Sequence, residues 1–230
     1  MTPRRLVVGI SGASGFTYGV RLLQLLRDLD IETHLTVSRS ALLTMTYETD
    51  YKFAEVSALA SFTYRCDDMA AAISSGSFRS LGMIVAPCSM KTLAEIASGM
   101  SSSLISRAAD VTLKERRPLV LLARETPYTL AHLRNMIAVT EMGAIVAPPV
   151  PAFYARPASL DQMIDHTLGR VLDLFGLEAG TVKRWRDGKA ETALQEATQA
   201  PISPDQPNRT NRSTNEETET SHESHSHHSQ

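Results

Sequence analysis

Residues 5–15 read RLVVGISGASG, and the fold follows from this stretch. Arg5 to Ile10 is a short apolar run of the kind that makes a buried strand. From Gly9 to Gly15 all residues but Ile10 are small, which lets a backbone turn tightly. Phe16 to Leu29 then places Val20, Leu22, Leu23, Leu25 and Leu26 at helical spacing. Strand, small-residue turn and helix repeat downstream. Glu32 to Val37, Leu81 to Ala86, Leu119 to Leu122 and Ala144 to Ala147 are the further strands. Met90 to Ser98, Ser103 to Glu115, Thr129 to Glu141 and Ser159 to Phe175 are the further helices, with Thr129 as an N-cap and Gly143 as a C-terminal stop. Strands alternating with helices predict an α/β fold, a parallel sheet with helices on both faces.

Composition bounds the function. The chain has 230 residues, 43% of them hydrophobic, and a formal net charge of -2. That charge gives no bulk attraction to nucleic acid or to an anionic membrane surface. No run approaches the roughly 18 apolar residues of a membrane span. The start of the chain leads directly into a strand, without a signal-peptide layout. Only Cys66 and Cys88 occur, so no disulfide framework is expected and a reducing cytoplasm is the default. Near Ala200 the composition shifts to Ser, Thr, Asn, Glu and His. We therefore expect a domain over residues 1–198 and a disordered, polar, His-containing tail over 199–230.

Ligands of such sheets bind beyond the carboxyl ends of the strands, so the residues after each strand carry the functional reading. After the first strand, Gly12, Ala13 and Ser14 precede a helix N-terminus that offers amides to an anion; the alternative is a plain tight turn. The spacing is neither GxGxxG nor a P-loop. Ser38-Arg39 stands after the second strand, where a dinucleotide site places an acid, and this favours a mononucleotide such as FMN. After the third strand come Ser89, Met90, Lys91 and Thr92; Ser89 and Thr92 are able to cap the helix and bind a phosphate or flavin edge, while Lys91 reads equally as a solvated charge. Cys88 reads as a small buried residue, with no His placed to support a nucleophile. Arg124 and Glu125 follow the fourth strand as either a ligand-binding pair or a structural ion pair. Tyr154, in the Pro-rich segment after the fifth, either donates to a phosphate or closes a core edge.

Taken together and in order, GISGASG, ETD at Glu48 to Asp50, SGSF at Ser75 to Phe78, APCSMKTLAEIASG, LISRAADVTLKERRPLVLLARETP and PPVPAFYARP resemble the UbiX-type flavin prenyltransferases. The likeness spans about residue 5 to residue 175, and the tail after Trp185 lies outside it. It implies a flavodoxin-like Rossmann fold assembled from trimers into a homo-dodecamer. It implies reduced FMN as prenyl acceptor and dimethylallyl monophosphate as donor, with prenylated FMN passing to a UbiD-type decarboxylase. FMN contacts are implied for Gly12, Ala13, Ser14, Ser38, Ser89, Met90, Lys91, Thr92 and Arg124. Prenyl-phosphate contacts are implied for Lys114, Arg124, Glu125, Tyr154 and Arg170, the last two from a neighbouring subunit. Glu48, Arg107 and Trp185 fall at or near the implied active site.

Chemically, a cluster of Lys114, Arg124, Tyr154 and Arg170 stabilises charge on a leaving phosphate without a metal. No Asp-rich motif for a magnesium-bound diphosphate is present, Asp67-Asp68 apart. Attack from flavin N5 and closure at C6 release a proton, for which Glu125 with Ser14 is the candidate relay. Met90, Phe153 and Trp185 are the candidates to exclude water. Two other readings compete with this one. A cysteine decarboxylase of the same fold group needs a catalytic His and a PASANT-like motif, where PCSMKT stands instead. An FMN-binding accessory subunit without transferase activity should have lost the prenyl-phosphate residues, which are present.

Overall fold

In the computed structural model, which describes residues 4–185, the run Arg5–Ile10 is strand β1 and Phe16–Asp28 is helix α1. The chain continues through β2 (Glu32–Val37), α2 (Arg39–Glu48), α3 (Phe53–Ser57) and β3 (Phe62–Arg65). It then makes β4 (Met83–Cys88), α4 (Met90–Ala97), α5 (Leu104–Lys114), β5 (Leu119–Ala123), α6 (Leu130–Glu141), β6 (Ile145–Val146) and α7 (Leu160–Asp173). All strand pairs are parallel, in the order β3-β2-β1-β4-β5-β6. This is the expected flavodoxin-like Rossmann sheet, wound in both directions from β1. The tail expected over 199–230 lies outside the described residues.

The central strands β1, β4 and β5 are almost wholly apolar because both faces of the sheet are covered there. Leu35, Val8, Ile84 and Val120 lie in register across the centre of the sheet, each with no exposed surface. They face α1 and α7, whose Leu22, Leu23, Leu26, Leu168 and Leu172 complete one core. The alternate residues Val7, Met83, Val85, Leu119 and Leu121 face the other core, with Leu93, Leu104, Ile105 and Val139 from α4, α5 and α6. Arg21 on α1 ties α7 down through a two-point contact with Asp165, at 2.6 and 3.1 Å.

The structure corrects the sequence reading in its first half. It adds β3, α2 and α3, starts the third predicted strand at Met83 and carries it to Cys88. β3 is an edge strand with Phe62 half exposed, so it shows neither a continuous apolar run nor a clean alternation. On α2 only Ala41 and Met45 are buried, which leaves too little periodicity to read.

Candidate functional site

The winding reverses between β1 and β4, so the crevice opens beyond their carboxyl ends. Ser11 forms its floor. The Ser11 hydroxyl donates to the Pro87 carbonyl at 3.0 Å and accepts from the Ser89 amide at 2.8 Å. Helices α1, α2 and α4 all begin at this edge. Gly15 enters α1 with φ 100°, a conformation that disfavours side chains. A Cβ on Gly12 would lie 2.3 Å from Ser40 Oγ, so only glycine lets the β1–α1 turn rest on the first turn of α2.

Each helix start has a different occupant. Ser38 caps α2, accepting from the Ala41 amide at 3.1 Å, and Ser89 caps α4, accepting from the Thr92 amide at 3.2 Å. α1 is capped by a carboxylate instead. Glu48 Oε2, from the end of α2, accepts from the Gly15 amide at 2.8 Å and the Phe16 amide at 3.0 Å. Desolvation works against the ionised Glu48, but hydrogen bonds from Ser14, Phe16 and Gly15, together with the charge of Arg124, hold its carboxyl below the usual range. An anion therefore already sits on α1. The first turns of α2 and α4 remain for a ligand phosphate, since their leading amides have no partner within the helix. Arg124, exposed at the end of the neighbouring β5, adds a guanidinium. Two helix starts, the Ser38, Ser40 and Thr92 hydroxyls and one arginine form a donor set suited to a phosphate monoester such as that of FMN.

A second group lies across the outer surface of α7. Tyr154 packs edge-on against His166 and Trp185, with ring centroids 5.6 and 5.3 Å apart. Arg170, in the last turn of α7, pairs with Asp173 at 2.8 Å. That end of the helix points away from the crevice: Phe175, two residues on, packs by Gly82, just before β4. Lys114 also stands at the far edge of the sheet, ending α5 in an ion pair with Glu115 and packed under Gly76.

The chain matches the Flavoprotein family over residues 1–172. It is 59% identical over 175 residues to the flavin prenyltransferase UbiX of Escherichia coli strain K12, covering 76% of this chain and 93% of the relative. The chain belongs to the Flavoprotein family, among its UbiX-type flavin prenyltransferases. Solved structures agree. AnUbiX (PadA1) in complex with FMN and dimethylallyl pyrophosphate is 55% identical with a TM-score of 0.80, covering 81% of this chain and all of the other. The dodecameric FMN-dependent Ubix-like decarboxylase of Escherichia coli O157:H7 is 51% identical with a TM-score of 0.77, covering 79% and 99%.

Gly12, Ala13, Ser14, Ser38, Ser89, Met90, Thr92 and Arg124 come together at the crevice edge. Lys91, at the same helix start, is drawn to the buried Glu95 at 2.5 Å. Cys88 is fully buried, and burial pushes its thiol up to about 12, which leaves it no nucleophilic role near neutral pH. The following expectations change. The α1 start holds Glu48 in place of a phosphate. No hydrogen bond joins Ser14 to Glu125 among the described residues; Ser14 lies beside Glu48, and the Glu125 carboxylate accepts from the Thr126 amide at 3.0 Å. Lys114 is separated from its own chain's Arg124 by the length of the sheet, so it does not share a site with it within one copy. Arg124 and Glu125 form no ion pair with each other among the described residues. Phe153 and Trp185 stand 79% and 68% exposed, so neither is packed as a water-excluding wall within one chain. Sequence reasoning missed Ser11, although it lies inside the quoted glycine run, and missed His166, a lone histidine on a helix.

Proposed function

We propose that the protein joins the dimethylallyl group of dimethylallyl monophosphate to N5 and C6 of reduced FMN, making prenylated FMN. The observation that carries this reading is the crevice at the β1–β4 switch point, built from the residues that the UbiX-type resemblance assigns to FMN. Its two remaining helix starts and Arg124 bind the FMN phosphate. Reduced FMN supplies the nucleophilic N5 and the adjoining C6. The chain supplies position, charge and proton transfer.

Arg124 and Glu125 stand where flavin and prenyl phosphate meet. Arg124 draws charge from the leaving phosphate, assisted by Lys114, Tyr154 and Arg170 of neighbouring copies in an assembly of the dodecameric kind. Lys114 and Arg170 stand toward the opposite edge of their own sheet, which supports assigning them to another copy's crevice, and the resemblance assigns Tyr154 to a neighbouring subunit together with Arg170. Glu125, bonded among the described residues only to an adjacent amide, takes the C6 proton as C6 bonds to the prenyl double bond, whose other carbon takes up a proton. Glu48 and Ser14 keep the wall of the flavin pocket fixed. Both cysteines are free thiols, which supports a cytoplasmic setting, and no described helix is long and apolar enough to cross a membrane. The resemblance extends the reading to a UbiD-type decarboxylase as recipient of the product.

The test is the mass of the flavin after incubation of enzyme, reduced FMN and prenyl donor. Dimethylallyl monophosphate should yield prenylated FMN, with excess chelator making no difference. An unchanged flavin mass overturns the reading. A product formed only from the diphosphate with added magnesium overturns the donor and the metal-free step.

A further inference from the structure

His166 is 6% exposed, on the inner side of the cluster that holds Tyr154. Its Nε2 lies 3.2 Å from the Lys183 carbonyl oxygen and 3.4 Å from the Tyr154 hydroxyl. A carbonyl oxygen only accepts, so Nε2 must carry a hydrogen to make that contact. The same N–H then points between two oxygens, and the Tyr154 oxygen receives its weaker share. The phenolic hydrogen of Tyr154 is therefore not spent on the imidazole and stays available to another acceptor.

The surroundings hold this arrangement from outside. The segment from Thr181 to Trp185 crosses α7 as a strap. Thr181 donates to the Asp165 carbonyl at 2.9 Å, and Lys183 Nζ donates to the Ala155 carbonyl at 3.1 Å, beside Tyr154. Gly169 gives the strap room: a Cβ there would lie 2.4 Å from Thr181 Oγ1. Trp185 closes the far side of the phenol ring.

We propose that His166 is a positioning residue for prenyl-phosphate use: anchored on the Lys183 carbonyl, it donates to the Tyr154 oxygen and turns the phenolic hydrogen outward, toward the phosphate. This rests on the reading of Tyr154 as a phosphate donor. It makes His166 matter to the prenyl substrate and not to the flavin, although it touches neither.

The experiment compares His166→Phe, His166→Gln, Tyr154→Phe and the His166→Phe/Tyr154→Phe double variant in the full-length enzyme. FMN affinity, KM for dimethylallyl monophosphate and kcat are measured for each. Phe keeps a ring of similar volume and removes the N–H; Gln returns an N–H at similar reach. His166→Phe should raise KM about five- to tenfold, the effect of one lost hydrogen bond, with kcat and FMN affinity nearly unchanged. His166→Gln should recover most of the loss, and His166→Phe should add nothing once Tyr154 is Phe. If the Phe variant does not fold, His166→Asn, too short to reach Tyr154, serves in its place with the same expectation. An unchanged KM in His166→Phe, or effects that multiply in the double variant, overturns the proposal while leaving Tyr154 in its role. An unchanged KM in Tyr154→Phe overturns both.

Discussion

A carboxylate that reaches back from the end of one helix to the first amides of another, as Glu48 does with Gly15 and Phe16, does two jobs that mutation separates. It caps α1, and it places a fixed negative charge beside Ser14 and Arg124. Among the described residues Glu125 has only the adjacent Thr126 amide. Glu48→Gln should therefore lower unfolding stability by about 1–2 kcal/mol, from weakened charge-assisted bonds at a helix start. Glu125→Gln should leave stability and FMN affinity alone and slow transfer roughly 10²–10⁴-fold, the loss typical of a proton-transfer group. Denaturant midpoints, FMN titration and single-turnover rates of the two variants decide this. Equal stability losses, or wild-type turnover in Glu125→Gln, would remove Glu125 from the chemistry.

At the scale of elements, the edge of the sheet carries a polar cluster with its own pH response. His34 on β2 is 3% exposed; its Nε2–H donates to Glu32 at 2.9 Å, so its Nδ1 accepts from the Tyr64 hydroxyl of β3 at 2.9 Å. Burial pushes the His34 imidazole below the ordinary histidine value, and its bond to Glu32 offsets only part of that. The bond to His34, then Arg5, holds the Glu32 carboxyl low despite some desolvation. Linkage sets the sign. As pH falls below about 6.5, the unfolded chain takes up a proton that folded His34 refuses, so this site costs up to about 1.4 kcal/mol per pH unit until the folded group also protonates. Glu32 adds a loss in the same direction below about 4.5, the ordinary carboxylate range. Stability should therefore drop between pH 7.5 and 5.5, and His34→Gln, weaker at pH 7.5, should show a shallower drop. An unaltered slope in that variant would place the acid response elsewhere. This edge is also where the sequence was least legible. β1, β4 and β5 are buried along nearly their whole length, so apolar runs gave them away; β3 is known only through its pairing with β2, a contact that local pattern does not encode. The crevice was legible for a related reason. Its residues come directly after strands, and the parallel sheet brings strand ends together. The Glu48 contact joins positions more than thirty residues apart through two turns, and nothing in the spacing announces it.

At the scale of the whole molecule, the proposed phosphate donors and the crevice lie apart in one chain. Arg124 and Glu125 border the crevice, while Lys114 and Arg170 stand toward the opposite edge of the same chain. α6 and the loop after it expose Leu130, Leu133, Ile137 and Met142, with only Val139 of the helix buried, an apolar face of the kind copies of a chain cover in an assembly. If each crevice borrows its phosphate donors from another copy, then damage to a donor and damage to a crevice residue fall on different sites when the two variants share one assembly. Arg170→Ala and Glu125→Gln should each be nearly inactive alone. Co-expressed in equal amounts and purified as mixed assemblies, they should regain about a quarter of wild-type activity per site, because a donor and a crevice that are both intact meet with that chance at a heterologous contact. Ile137→Glu, which puts a charge on the exposed face of α6, should lower both the assembly size and the turnover of an otherwise wild-type chain, while its FMN affinity falls less. Activity is read from the flavin mass and assembly size from sedimentation. Mixed assemblies no more active than either parent would mean that Arg170 and Glu125 serve one site from one chain. The α7 end would then have to swing toward the carboxyl edge of the sheet, against the Arg21–Asp165 tie that fixes the helix to α1.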